Sequence, residues 1–161
     1  MNTIIVIPSR LASTRFPRKP LALIEGIPMI QRVWQQAMKS KIGEVLVACS
    51  EKEVFDLINS LGGKAIMTSP DIPSGTDRVY EAIKKYPNIN QIESIINLQG
   101  DMPIIDHKDI QKVNPPLIQG FEIGTLVTQI DKDEEKNENI TKVQVNWIKK
   151  NLIGEAVNFY K

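Results

Sequence analysis

The sequence predicts an α/β protein, with a mostly parallel sheet flanked by helices and an antiparallel carboxyl-terminal portion. Continuous apolar runs of strand length recur at Ile4–Ile7, Val45–Cys49, Ala65–Met67, Ile95–Leu98 and Ile123–Val127, the pattern of buried strands. Between the early runs lie segments with apolar residues repeating near every 3.6 positions, and such strand–helix alternation builds parallel sheets. The pattern changes late in the chain, where Thr141–Trp147 and Ile153–Phe159 alternate apolar with polar, as antiparallel strands do.

Each element has a local reason. Ile4-Ile5-Val6-Ile7 reads as a first, fully buried strand. Met29, Ile30, Val33, Trp34, Ala37 and Met38 then share one helical face, with Trp34 as packing. Cys49 closes the second strand and behaves as a small core residue. Val54, Phe55, Ile58 and Leu61 form a second helical face, ended by Gly62-Gly63. After the strand Ala65–Met67, Ser74-Gly75-Thr76-Asp77 opens a third helix, continued by Val79, Ala82, Ile83 and Tyr86, with Ser74 placed to cap it. His107 reads as a solvated residue at a helix start, and Asp131–Glu138 as a solvated acidic connector. A turn at Lys149-Lys150-Asn151 joins the last two strands. The chain stops inside the second of these, which leads to the expectation of a further carboxyl-terminal part.

The 161 residues are expected to form one domain, residues 1–161, burying roughly 70% of the unfolded surface. A net charge of +1 gives no global field toward nucleic acid or membrane. One cysteine excludes an internal disulfide and fits a reducing compartment. The start Met-Asn-Thr-Ile-Ile-Val-Ile-Pro lacks a signal-peptide pattern, and no run approaches the roughly eighteen apolar residues of a membrane span. A cytoplasmic protein with no nucleic-acid or membrane partner is expected.

Function is concentrated between Pro8 and Pro20. This segment carries four fixed cations (Arg10, Arg15, Arg18, Lys19), the hydroxyls of Ser13 and Thr14, and no carboxylate. It follows a buried strand, and the carboxyl ends of strands are where open α/β sheets bind ligands. Arginine forks and a lysine point charge suit a polyphosphate. At Ser74-Gly75, glycine permits close backbone approach, and the free N–H groups of a helix start suit a polar or anionic ligand. Asp101, in Asn97-Leu98-Gln99-Gly100-Asp101-Met102-Pro103, is placed to hold Mg²⁺, which takes few carboxylates and leaves its other positions to water and phosphate. Together the segments imply a metal–nucleotide site. No Gly-x-x-x-x-Gly-Lys-Ser/Thr loop and no Gly-x-Gly-x-x-Gly occurs, which argues against a Walker-type NTPase and a dinucleotide dehydrogenase.

Pro8-x-Arg10-x-x-Ser13-Thr14-Arg15-x-Pro17-x-Lys19-Pro20-Leu21 resembles the signature of the 3-deoxy-manno-octulosonate cytidylyltransferases, the CMP-Kdo synthetases. The likeness continues through Gly26-x-Pro28-Met29-Ile30, Met67-Thr68, Ser74-Gly75-Thr76-Asp77-Arg78 and Asn97-x-Gln99-Gly100-Asp101-x-Pro103 to Lys142-Val143. It implies a Rossmann-like fold of the nucleotide-diphospho-sugar transferase type. The implied activity makes CMP-Kdo from CTP and Kdo for lipopolysaccharide assembly, releasing pyrophosphate, with Mg²⁺ as cofactor and a homodimer as the assembly. By position, Arg10, Arg15 and Lys19 would bind the triphosphate. Ser13, Thr14, Ser74, Gly75, Arg78 and Gln99 would help hold the nucleotide, and Asp101 the metal. Arg10, Lys19 and Asp101 would act directly in catalysis. Two other readings stay open: a truncated relic that at most binds nucleotide, and a CMP-sialic acid synthetase-like enzyme, whose pattern fits less well around Ser74–Arg78. This sequence departs from the family at Arg18 (usually Gly), Ile72 (usually His) and Met102 (usually Glu). The family's later segment, which supplies a second metal carboxylate, lies beyond the matched residues.

Overall fold

The computed structural model describes residues 1–11, 16–150 and 152–161, so the predicted site residues Ser13, Thr14 and Arg15 lie outside the described residues. Two compact units follow one another along the chain, Met1–Gln111 and Lys112–Lys161.

The first unit begins with β1 (Thr3–Ser9), whose residues are all buried. Its β-branched side chains suit a strand covered on both faces. A small antiparallel pair, β2 (Leu23–Ile24) and β3 (Ile27–Pro28), leads into helix α1 (Met29–Ser40). Then come β4 (Glu44–Cys49), helix α2 (Lys52–Ser60), β5 (Lys64–Met67), helix α3 (Gly75–Lys84), β6 (Ser94–Asn97) and the short helix α4 (His107–Gln111). The main sheet has the order β5-β4-β1-β6, all parallel, with Val6 opposite Leu46 on one side and Asn97 on the other. This is the Rossmann-like arrangement the sequence implied. The chain steps outward from β1 to β4 and β5, then returns to the other side of β1 for β6. A crevice at such a reversal of strand order is the usual ligand position in open α/β sheets.

Alternate strand residues face opposite layers. Ile4, Val6, Leu46 and Ala48 pack with Val79, Ala82 and Ile83 of α3 and with Tyr86 just beyond its end. Helices α1 and α2 bury Ile30, Val33, Val54 and Ile58 completely, and each such side chain stabilises the fold by about 1.5–3 kcal/mol. Helix α2 ends as expected at Gly62, whose φ of +77° is the left-handed conformation that glycine adopts freely. The N–H of Gly63 then donates to the carbonyl of Ile58 at 2.9 Å, satisfying a helix-end acceptor. Strands β5 and β6 are the outer strands of the sheet and are only partly covered, so their apolar runs do not report full burial.

In the second unit, short helices α5 (Pro115–Ile118) and α6 (Lys132–Glu135) precede the antiparallel hairpin of β7 (Lys142–Lys149) and β8 (Ile153–Tyr160). Two sequence expectations are corrected here. Residues 123–127 form no strand: no ladder partner lies beside them among the described residues, and Ile123 is 87% exposed. An apolar run becomes a strand only where another strand takes up its backbone groups. The acidic connector also holds a helical turn, α6, fixed by a capping box between Asp131 and Glu134.

Among the described residues, no helix is long and apolar enough to cross a membrane.

Candidate active site

At the strand-order reversal, a cleft of about 250 Å³ opens between the carboxyl ends of β1 and β6. Pairing of β1 with β6 ends at Val6, and Pro8, which has no N–H to donate, follows on the cleft wall. Arg10, Lys19, Gly75, Arg78, Gln99 and Asp101, each predicted from the sequence, all line this cleft. So do Pro8, Ser9, Pro20, Met29 and Gly100, which the motif reading did not assign to the site.

The charged groups are held in distinct ways. Lys19 Nζ donates to Asp101 Oδ2 at 2.8 Å, joining the cationic loop to the end of β6. Both side chains keep solvent contact, so this pair can reopen for a ligand at little cost. Arg10 is exposed. Arg78, by contrast, is only 1% exposed. Its Nη1 donates to Thr68 Oγ1 and to the Ser69 carbonyl, and the Thr68 hydroxyl donates in turn to the Cys49 carbonyl at 3.0 Å. Burial pushes the Arg78 guanidinium below its ordinary value, and neighbouring Arg10 lowers it further against the opposing pull of Glu51 and Glu81. Guanidinium groups nevertheless stay charged in proteins. Arg78 Nη2 and Ser9 Oγ are buried with no protein partner among the described residues. Unsatisfied buried donors are costly, so these two mark the part of the cleft most in need of a polar guest.

The neutral groups are positioned by a short relay. Asn97 Nδ2 donates to Thr76 Oγ1 at 3.3 Å, and Gln99 Nε2 donates to Asn97 Oδ1 at 3.0 Å. A methyl group added to Gly75 would stand 3.6 Å from Gln99 Oε1, which shows how closely the start of α3 approaches this amide. Ser74 caps α3, accepting from the Asp77 N–H at 3.1 Å, and is not on the cleft wall itself. Its hydroxyl also donates to Asp77 Oδ2 at 2.6 Å. Ser74 therefore shapes the helix start beside Gly75.

Arg18 takes a φ of 57°, in the region that favours glycine, and its guanidinium turns to Glu53. The extra charge of this loop is thus paired and does not line the cleft. His107 begins α4, with Nδ1 3.2 Å from Asp106, in keeping with a solvated helix-start residue. Cys49 is fully buried, and burial pushes its thiol up to about 12, with the charge of Glu51 adding to the shift.

Asp101 offers a hard oxygen donor beside cations suited to phosphate, a chemistry that fits Mg²⁺ when water and phosphate complete its shell. Among the described residues, no group of three or more His, Cys, Asp or Glu gathers into a metal cage.

The cytidylyltransferase family matches residues 4–159. The chain belongs to the cytidylyltransferase family. A 3-deoxy-manno-octulosonate cytidylyltransferase of Paramagnetospirillum magneticum is 45% identical over 161 residues, covering 99% of this chain and 65% of the relative. The enzyme of that name from Rickettsia typhi is 45% identical over 153 residues, covering 94% of this chain and 63% of the relative. This cytidylyltransferase chain thus spans just under two thirds of either relative's length. Among solved structures, a CMP:2-keto-3-deoxy-manno-octonic acid synthetase complexed with CTP superposes with a TM-score of 0.88 at 36% identity. That superposition covers 99% of this chain and 64% of the other. A cytidylyltransferase from Leptospira borgpetersenii shares the fold, with a TM-score of 0.60 at 22% identity over 76% of this chain and 51% of its own.

Proposed function

We propose that this cytidylyltransferase chain carries the CTP-binding half of an enzyme that forms CMP-Kdo from CTP and Kdo, releasing pyrophosphate for lipopolysaccharide biosynthesis. The observation that supports this most is the convergence of Arg10, Lys19, Arg78, Gln99 and Asp101 on one cleft at the strand-order reversal. Names shared by the relatives point to the same reaction.

In this reading the anomeric hydroxyl of Kdo attacks the α-phosphorus of CTP. A new P–O bond forms to the sugar as the hydroxyl proton passes to solvent, the bond to the β-phosphate oxygen breaks, and its electron pair leaves with pyrophosphate. No covalent enzyme intermediate is needed, so catalysis is positioning and charge neutralisation. Arg10 and Lys19 face the triphosphate, and Lys19 moves from Asp101 to phosphate oxygen as the ligand enters. Gln99, oriented through Asn97 and Thr76, and the backbone at Gly75 hold the nucleoside end. Arg78 supplies its unpartnered Nη2 as a fixed donor. Asp101 would hold Mg²⁺, which when bound neutralises phosphate charge. By their sequence positions alone, Ser13, Thr14 and Arg15 would join in binding the nucleotide. The reaction belongs in the cytoplasm, where CTP is made, and the full enzyme is expected to dimerise.

A thermal-shift panel with Mg²⁺ and each of CTP, UTP, ATP and GTP tests the reading. A nucleotide at a hundred times its dissociation constant stabilises the fold by about 2.7 kcal/mol. A shift with CTP alone, followed by pyrophosphate release only when Kdo is added, is the expected result. No shift with any nucleotide in a cooperatively folded sample refutes it. Release with sialic acid in preference to Kdo would move the substrate to the other sugar acid.

A further inference from the structure

We propose that the Arg18–Glu53 ion pair is a positioning device for Lys19, tying the carboxyl-terminal end of the cationic loop to helix α2. The inference rests on the CTP-binding reading for its effect on affinity, and on the geometry alone for its effect on the loop.

Arg18 is fixed through both of its backbone polar groups. Its N–H donates to the Leu11 carbonyl at 3.1 Å, and its own carbonyl accepts from the Leu21 N–H at 2.9 Å. The residue sits at φ 57°, ψ 23°, a left-handed conformation that L side chains disfavour. A non-glycine residue persists there only when its surroundings over-determine it. The side chain adds to the hold of those two backbone hydrogen bonds. Nη1 donates to Glu53 Oε1 at 3.2 Å and Nη2 donates to Glu53 Oε2, a bidentate fork with a fixed direction.

The other end of the pair is rigid. Glu53 stands in the first turn of α2, where the helix dipole favours a carboxylate. The hydrogen bond from Arg18 holds its carboxyl below the ordinary range. Helix α2 packs on β4 and β5 through the fully buried Val54 and Ile58, so Glu53 moves with the core. Lys19, the next residue after Arg18, reaches into the cleft to Asp101. Neither Arg18 nor Glu53 lines the cleft. The pair therefore acts on the ligand only through where it sets Lys19.

A simpler role for Arg18 would be a free cation drawing in triphosphate. Glu53→Gln separates the two, since it keeps the cation and removes only the charged anchor. Anchoring predicts that E53Q weakens CTP binding by about two- to fivefold, the range of an exposed pair. A free attractor predicts tighter or equal binding, because a nearby opposing charge is gone. Arg18→Gly suits the left-handed backbone, so its Tm holds or rises while its affinity falls; a merely structural pair would move both together. The double reversal R18E/E53R should bind CTP better than either single reversal. Hydrogen exchange at the Arg18 and Leu21 amides, followed without ligand, reports the anchor directly and should quicken in E53Q. Unchanged exchange, or E53Q affinity at or above that of the unaltered chain, overturns the proposal. If the unaltered chain takes up none of the nucleotides, the functional reading fails alone, and the exchange result still decides the anchor.

Discussion

Replacing Gly100 with alanine tests how far the cleft depends on close contact between β1 and the loop after β6. A methyl carbon at Gly100 would lie 2.5 Å from the Pro8 carbonyl oxygen, and 3.5 and 3.6 Å from side-chain carbons of Ile30 and Ile7. The two isoleucine contacts are ordinary. The carbonyl contact is not, since it belongs to β1, which is held on its other side by the Pro8–Ala48 register with β4. Moving from 2.5 Å to the 3.4 Å of ordinary contact requires nearly an ångström of backbone displacement. Overpacking of this kind costs about 1–3 kcal/mol. For a unit of this size that lowers Tm by about 4–12 °C. The displaced residues carry Gln99 and Asp101, and misplacement by about an ångström can cost roughly a hundredfold in rate. Thermal denaturation reads the loss of stability, and CTP titration on the same sample reads the misplacement of the site. Gly75→Ala is the control: its methyl would meet Pro8 Cγ at 3.4 Å and Gln99 Oε1 at 3.6 Å, so it should fold without penalty and lose only affinity. A Gly100→Ala protein with Tm within about 1 °C of the unaltered chain and unchanged CTP binding would refute the reasoning.

Lys19→Ala should lower turnover, read as pyrophosphate release, by roughly 3–4 kcal/mol of transition-state stabilisation, with little change in stability because its pair with Asp101 is solvent-exposed; near-normal turnover would remove Lys19 from the mechanism. At the far end of the sheet, burial works to raise the Glu44 carboxyl, but hydrogen bonds from Lys64 and Tyr86 outweigh it and hold the carboxyl below its ordinary value. The unfolded chain then binds the proton more readily, so Glu44 stabilises the fold fully above pH 4.5 and loses that contribution as pH falls through the lowered value. Glu44→Gln should flatten the acid limb of a stability–pH curve, and an unchanged limb would contradict this assignment. Cys49, fully buried with its thiol pushed up to about 12, should resist a thiol reagent at pH 8 in the folded protein and react at once in urea; fast labelling of the native state would show that β4 opens locally.

Much of the first unit was legible because its signals are local. Four isoleucine and valine residues in a row specify β1, a 3.6-residue repeat specifies α1, and Ser74 followed by Asp77 marks the start of α3. Gly62-Gly63 ended α2 where expected, since left-handed backbone is a property of glycine itself. Residues 123–127 misled because β structure is a property of two segments, and the partner was not encoded in the run. Ser9 was missed as a cleft residue because a hydroxyl closing an apolar strand reads as core; only its unpartnered Oγ distinguishes it.

The sequence by itself determined which residues are apolar, where α2 ends and α3 begins, and that a cationic loop follows the first strand. Those properties depend on side chains within a few positions of one another. Only the tertiary structure decided that Lys19 meets Asp101 across 82 residues, that Arg18 turns away to Glu53 across 35, and that Arg78 is buried with one donor unmet. The physical reason is the strand order. Once β6 returns to the open side of β1, residues far apart in the chain are brought to a single cleft, and charge, hydroxyl and backbone act together as a site.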